Sequence, residues 1–244
     1  MPLHDWTKLP DYAYHEFHGR WIYAICHALN AGVLPAGYYA RPEQVTRPAG
    51  PDVVTFELPD LPPADSGRLP WSVADTPPRV AVAAVAPPRP VAQAQKRVTV
   101  RLGHGSGDRV VAIVELVSRG NKLATKRFAA FVRKLVRAID GGVHVLVIDP
   151  FPPGVRDPAG VHGAVWPELG GDTWVPPHDK PLALVAYEAG DAARCYVEPL
   201  AAGDRLTDMP LFLRAGRYVN VPLEASYQAA FADMLPQDRA ALEA

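Results

Sequence analysis

The stretch VVAIVELVSRGNKLATKRFAAFVRKLVRAIDGGVHVLVID, residues 110–149, decides the fold of this chain. Residues 110–117 are apolar apart from one glutamate, and such a run predicts a buried strand. Residues 122–140 repeat apolar side chains at three- to four-residue spacing, which predicts a helix packed on one face. Residues 143–149 form a second apolar run, typical of a strand covered on both faces. The order strand, helix, strand predicts a parallel right-handed crossover.

Predicted elements on both sides extend this crossover into a mixed sheet. Upstream, the patterns predict a helix over 14–31, strands over 38–41 and 52–57, and a hairpin of 97–102 with 109–118. Downstream, they predict a helix capped by Asp157 and running to Trp166, strands over 181–188 and 194–198, and a helix over 223–234. We therefore expect an α/β (α+β) fold in which helices flank a mixed central sheet.

A proline-rich segment interrupts this pattern, with nine prolines among the 32 residues of 59–90. Because proline cannot donate to a sheet ladder or continue a helix, we expect an irregular insertion there, with at most a short edge strand over 79–82. The chain has 244 residues and is 48% hydrophobic, enough to fill one core. We expect a single domain over 1–244.

The cysteine content and the lack of a long apolar run limit the cellular compartments in which we expect this protein. Two cysteines, Cys26 and Cys195, exclude a disulfide scaffold and a Cys-rich zinc site. No run reaches the roughly 18–20 apolar residues that a membrane span needs, and the first residues show no secretory signal. We expect a cytoplasmic protein of bacterial type that does not span a membrane.

The middle of the chain is strongly basic although the whole carries a net charge of only −1. Residues 79–137 contain 13 basic and two acidic residues, whereas the segments on either side are acidic. One interpretation is that the acidic ends fold back and neutralise this segment. The other is that it binds a polyanion, such as nucleic acid.

Glu115 is the one charged residue within the apolar run 110–117. A buried carboxylate is costly unless it is protonated, paired in an ordinary ion pair or bound to a cation. Alternatively, the strand ends there and Glu115 reaches solvent. Asp52 opens a predicted neighbouring strand, and two such carboxylates could hold one hard cation such as magnesium. Asp149 ends its strand before Pro150, a position typical of a turn residue that binds its own backbone.

Helical geometry selects Lys134 as the cation that could reach Glu115. At about 100° per residue, Lys134 lies on the flank of the apolar stripe of the predicted helix. Snorkelling of its stem over the core is the alternative. Ser118 or Asn121 is predicted to cap the start of that helix. His15 and His18 have a spacing that two metal ligands can share, but without a third ligand we interpret them as packed or exposed.

Six stretches spread over nearly the whole chain resemble the uncharacterised bacterial family called domain of unknown function 4058. They are HDWTKLPDYAYHEFHGRWI, LPAGYYARPEQV, GPDVVTFEL, VVAIVELVSRGNK, GGVHVLVIDPFPPGVRDPAGVHGAVW and MPLFLRAGRYVNVPLEASYQAAF. This resemblance implies membership of the family but brings no established activity.

The pattern is also similar, more distantly, to the PD-(D/E)XK nuclease superfamily. Pro51-Asp52 would be its PD element and Glu115 its next acidic residue. The resemblance implies a restriction-endonuclease-like αβββαβ core, followed here by an elaborated C-terminal part. The lysine of the superfamily follows the acid by two positions, where this chain has Val117. Some related families place the lysine on the next helix, which would be Lys134.

These observations predict a metal-dependent nuclease or phosphodiesterase. Asp52 and Glu115 would hold Mg²⁺, Lys134 would complete the catalytic set, and the basic segment 79–137 would face nucleic acid. The alternative is a non-catalytic binding or interaction module on the same fold, with Glu115 in a structural ion pair.

Overall fold

A mixed seven-stranded sheet organises the protein in a computed structural model, which describes residues 3–42, 53–57, 74, 76–87 and 109–244. The described strands are β1 Tyr38–Pro42, β2 Val53–Glu57, β3 Val82–Val85, β4 Arg109–Leu116, β5 His144–Asp149, β6 Leu182–Glu188, β7 Arg194–Leu200, β8 Met209–Arg214 and β9 Arg217–Val221. The described helices are α1 Asp11–Ala28, α2 Arg119–Lys122, α3 Thr125–Asp140, α4 Gly160–Glu168, α5 Leu223–Ala232 and α6 Pro236–Glu243. The α/β class with a mixed sheet and flanking helices is thus confirmed.

The predicted crossover is present, since β4 and β5 are parallel neighbours joined through α2 and α3. The sheet order is β1-β2-β4-β5-β6-β7-β3, and all its other pairings are antiparallel. Side chains alternate across the strands, so the sheet contributes to two cores. One core packs β4 and β5 against α3 and α4. The other packs the opposite face against α1, α5 and the hairpin of β8 with β9.

Helix boundaries differ from the predicted ones. Helix α1 is Asp11–Ala28 where the sequence predicted 14–31, and two other differences are larger. The helix predicted over 122–140 is divided into α2 and α3, because Ala124 has extended backbone with φ −137° and ψ 139°. The predicted cap at Asp157 is wrong: α4 begins at Gly160. Asp157 Oδ1 instead accepts the Gly154 N–H at 3.0 Å and closes a turn.

The proline-rich segment 59–90 contains the short edge strand that the sequence allowed, with different bounds, and residues 59–73, 75 and 88–90 of the segment lie outside the described residues. Val82–Val85 forms β3 and pairs with β7, so the edge strand begins later than the predicted 79–82. Ala86, directly after it, is buried. The 97–102 half of the predicted hairpin lies outside the described residues; the described neighbours of β4 are β2 and β5.

The β8–β9 hairpin and α6 were not predicted from the sequence. The hairpin forms a separate two-stranded sheet, in which Leu211 pairs with Val219. Within the described ranges, no helix is long and apolar enough to cross a bilayer.

Candidate functional site

Glu115 and Lys134 form a buried ion pair beneath α3. Glu115 lies next to the last residue of β4 and its side chain is 3% exposed, while that of Lys134 is 16% exposed. Lys134 Nζ donates to Glu115 Oε2 at 2.6 Å. The side chain of Lys134 also passes the Phe131 ring, with Nζ 5.3 Å from the ring centre. The predicted burial of Glu115 and its proximity to Lys134 are therefore confirmed; their catalytic role stays a prediction.

Asp52, the other predicted metal ligand, lies outside the described residues. The described part of β2 begins at Val53, which lies directly opposite Val114 of β4. Asp52 precedes Val53 in the sequence and Glu115 follows Val114.

Two side chains of α1 contact the end of β4, beside Glu115. His18 Nε2 lies 2.8 Å from the Leu116 carbonyl oxygen, and the Tyr14 hydroxyl donates to the Val117 carbonyl oxygen at 2.8 Å. Because a carbonyl oxygen only accepts, Nε2 of His18 carries the proton in this contact. His18 was interpreted from the sequence as packed or exposed. Its four-residue spacing from Tyr14 was the available signal that both reach one neighbour.

A second buried charge cluster joins the ends of both parallel strands. Lys122 Nζ lies 2.8 Å from Asp149 Oδ2 and 2.9 Å from Asp157 Oδ2, and donates to the Phe151 carbonyl oxygen at 3.0 Å. Burial raises the pKa of Asp149, and the Lys122 ammonium acts against that rise. Asp149 also accepts the Phe151 N–H at 3.4 Å, as its predicted turn role requires. Two accepting oxygens and a second carboxylate at ion-pair distance surround the ammonium, which indicates a structural anchor.

The predicted cap is present on α2 but not on α3, since Ala124 at the N-cap of α3 makes no side-chain capping hydrogen bond. Ser118 is the N-cap of α2. Asn121 Oδ1 accepts the Ser118 backbone N–H at 2.8 Å and its hydroxyl at 2.9 Å. Both residues therefore serve the local helix start, and this fixes the path by which the chain leaves β4.

The two cysteines and the His15–His18 pair are the remaining candidates from the sequence. Burial raises the pKa of both Cys26 and Cys195 to about 12, so these thiols stay protonated at neutral pH. His15 and His18 stack with ring centres 6.5 Å apart. Among the described residues, no group of three His, Cys, Asp or Glu side chains is arranged to hold a metal ion.

The donor chemistry at the end of β4 suits a hard cation. Glu115 carries a carboxylate, and a positive charge already lies against one of its oxygens. Oxygen ligands of this kind are the ones magnesium prefers. In the predicted site, Glu115 and Asp52 would supply such oxygens.

No protein-family model, curated protein or solved structure matches this chain. The two resemblances described above therefore stay predictions.

Proposed function

We propose that this protein is a metal-dependent phosphodiesterase that acts on nucleic acid. Asp52 and Glu115 hold Mg²⁺ in this proposal, and Lys134 is the catalytic cation. The single observation that carries it is the buried Glu115–Lys134 pair, with Nζ and Oε2 2.6 Å apart at the end of a central strand. A lysine and an acid are the groups that phosphoryl chemistry requires beside a metal.

The order of the described elements supports a PD-(D/E)XK-like core within this proposal. With β3 left aside at the far edge, the main elements run α1, β1, β2, β4, α3 and β5. This is the αβββαβ order that the resemblance implies. Membership of the family called domain of unknown function 4058 and a cytoplasmic location belong to the same proposal.

Each residue has a defined task in the proposed chemistry. Magnesium, when bound, would polarise a phosphate oxygen and lower the pKa of an attacking water. The Glu115 carboxylate supplies a ligand that the sheet holds rigidly. The Lys134 ammonium turns from Glu115 to the substrate phosphate, where it neutralises the charge that develops during cleavage.

The test is a magnesium and manganese titration combined with a nuclease assay. We expect divalent ions to raise the melting temperature of the wild type and Glu115→Gln to abolish that rise while the fold persists. Lys134→Met should retain the metal response and lose cleavage. Glu188→Gln is the matched control, because Glu188 is equally buried, at 2% exposure, in β6 of the same sheet. It should keep the metal response whatever its effect on stability.

A non-catalytic binding module is the second candidate, and the short Glu115–Lys134 contact itself favours it. An ammonium bound to this carboxylate is sufficient to explain why Glu115 is buried. In that case Glu115→Gln destabilises the protein equally with and without magnesium. A melting temperature that stays flat into the millimolar range of magnesium would overturn the phosphodiesterase proposal.

A further inference from the structure

The outer face of α3 presents a row of cations to solvent. Lys126, Arg127, Arg133 and Arg137 are all exposed. None of the four forms an ion pair with a carboxylate in the described part of the chain. Asp140, at the last position, is the one acidic residue of this helix. Within the described part of the chain, the positive charge of this face is therefore not neutralised by ion pairs.

The helical positions align these cations into one surface. Lys126, Arg133 and Arg137 lie within about 40° of one direction at about 100° per residue. At about 1.5 Å per residue, they extend over roughly 16 Å of the helix axis. Arg127 lies on the same flank as Lys134, seven residues away along the helix. Arg127 is therefore turned by about 100° from Lys126, towards the flank that contacts Glu115.

We propose that this outer face of α3 binds the phosphate backbone of a nucleic-acid duplex, independently of its sequence. The inference rests on the proposed function in taking nucleic acid as the occupant. Charge complementarity supports it, since duplex DNA carries about one phosphate charge per 1.7 Å of its axis. The length of the row would therefore run beside roughly ten phosphates.

The side chains of α3 favour a duplex over a single strand. Its two aromatic residues, Phe128 and Phe131, belong to the buried core. The exposed row has no ring on which an unpaired base could stack, and such stacking is what single-strand binders use. Contacts from lysine and arginine to phosphates position a duplex without reading its bases.

The experiment measures binding of a fluorescently labelled duplex of about two helical turns over a salt series, in the Glu115→Gln background without divalent ions. The outer-face variant combines Lys126→Gln, Arg133→Gln and Arg137→Gln. The matched control combines Lys8→Gln, Arg156→Gln and Arg205→Gln, three exposed cations outside the basic segment 79–137. Both variants lose the same charge, and circular dichroism verifies that both remain folded.

We expect the outer-face variant to bind the duplex on the order of a hundredfold more weakly at about 0.1 M salt, with a salt slope lower by about 3. The control should lose much less. Equal losses in both variants would show a net-charge effect and overturn the proposal. The proposal would also be overturned if the protein bound a single strand more tightly than the duplex. It would likewise be overturned if the outer-face substitutions weakened binding to anionic vesicles but left duplex binding unchanged.

Failure of this inference is distinguishable from failure of the proposed function. If the outer-face variant loses duplex binding while the wild type shows no metal-dependent cleavage, the surface stands and the phosphodiesterase proposal fails. If the wild type cleaves, and the three outer-face substitutions weaken neither duplex binding in the Glu115→Gln background nor cleavage when made in the wild-type sequence, the surface fails and the phosphodiesterase proposal stands.

Discussion

At the scale of single residues, Glu115 and Lys134 show how a pattern predicts a long-range contact. The apolar neighbours of Glu115 predicted its burial, and the helical position of Lys134 predicted its direction. Both signals are local in the sequence, and the crossover brings the two side chains together. The cluster around Lys122 was not predicted, because Asp157 belongs to a turn whose position depends on tertiary packing.

Lys122→Met should destabilise the fold by about 3–5 kcal/mol, since it leaves two carboxylates buried without their cation. The side chains of Asp149 and Asp157 are 6% and 2% exposed in their pairs with this lysine. Urea denaturation at neutral pH measures the change. Lys126→Met, at an exposed position nearby, is the control and should alter the unfolding free energy by less than about 0.5 kcal/mol. Equal effects at the two positions would contradict the anchor role of Lys122.

Two buried histidines make stability depend on pH. Burial lowers the pKa of His144 and that of His162 to about 4, below the ordinary value of 6.5. Below pH 6.5 the unfolded chain therefore binds protons that the folded chain does not, and stability falls from pH 6.5 towards pH 4. Between pH 7 and 5 each histidine should remove about 2 kcal/mol.

Urea denaturation of the wild type and of His144→Gln and His162→Gln at both pH values measures this contribution. Each variant should show a smaller decrease than the wild type. His178 is exposed and provides the control substitution His178→Gln, which should leave the decrease unchanged. A wild-type decrease that persists in full in both buried-site variants would rule out these histidines as its cause.

At the scale of elements, hydrophobic spacing predicted the principal helices and strands, whereas side-chain caps and paired edges were harder to infer. The crossover elements have long apolar runs, so their type was readable. The β8 strand contains Pro210, which argues against a strand in a central sheet. It is tolerated here because β8 pairs only with β9 in the described part of the chain.

The close packing of α4 predicts opposite effects of two glycine substitutions. A Cβ at Gly171 would overlap the Trp166 ring, whereas one at Gly19 in α1 would meet open space. Gly171→Ala should therefore destabilise the fold by about 1–3 kcal/mol through overpacking. Gly19→Ala should stabilise it by about 0.5–1 kcal/mol, because alanine favours a helix interior. Thermal denaturation of both variants gives the comparison, and a stabilised Gly171→Ala would contradict the packing of Trp166.

At the scale of the whole molecule, the two cores on opposite faces of the sheet give the charged residues different neighbours. The face under α3 holds Glu115, and the outer side of the same helix carries the exposed cations. The strong positive charge of 79–137 was readable from the sequence. Its distribution was not, because Lys122 and Lys134 turn inward to carboxylates while the other cations of α3 face solvent.

The pairing of β3 with β7 also bears on the order of folding. Val82 lies opposite Val197, far along the chain, whereas β6 and β7 are consecutive and antiparallel. Closing the longer loop loses more chain entropy before any contact compensates for it. We expect the β6–β7 hairpin to form first and β3 to dock late. Pulsed hydrogen exchange during refolding should protect the β3 amides after those of β6, and simultaneous protection would contradict this sequence of events.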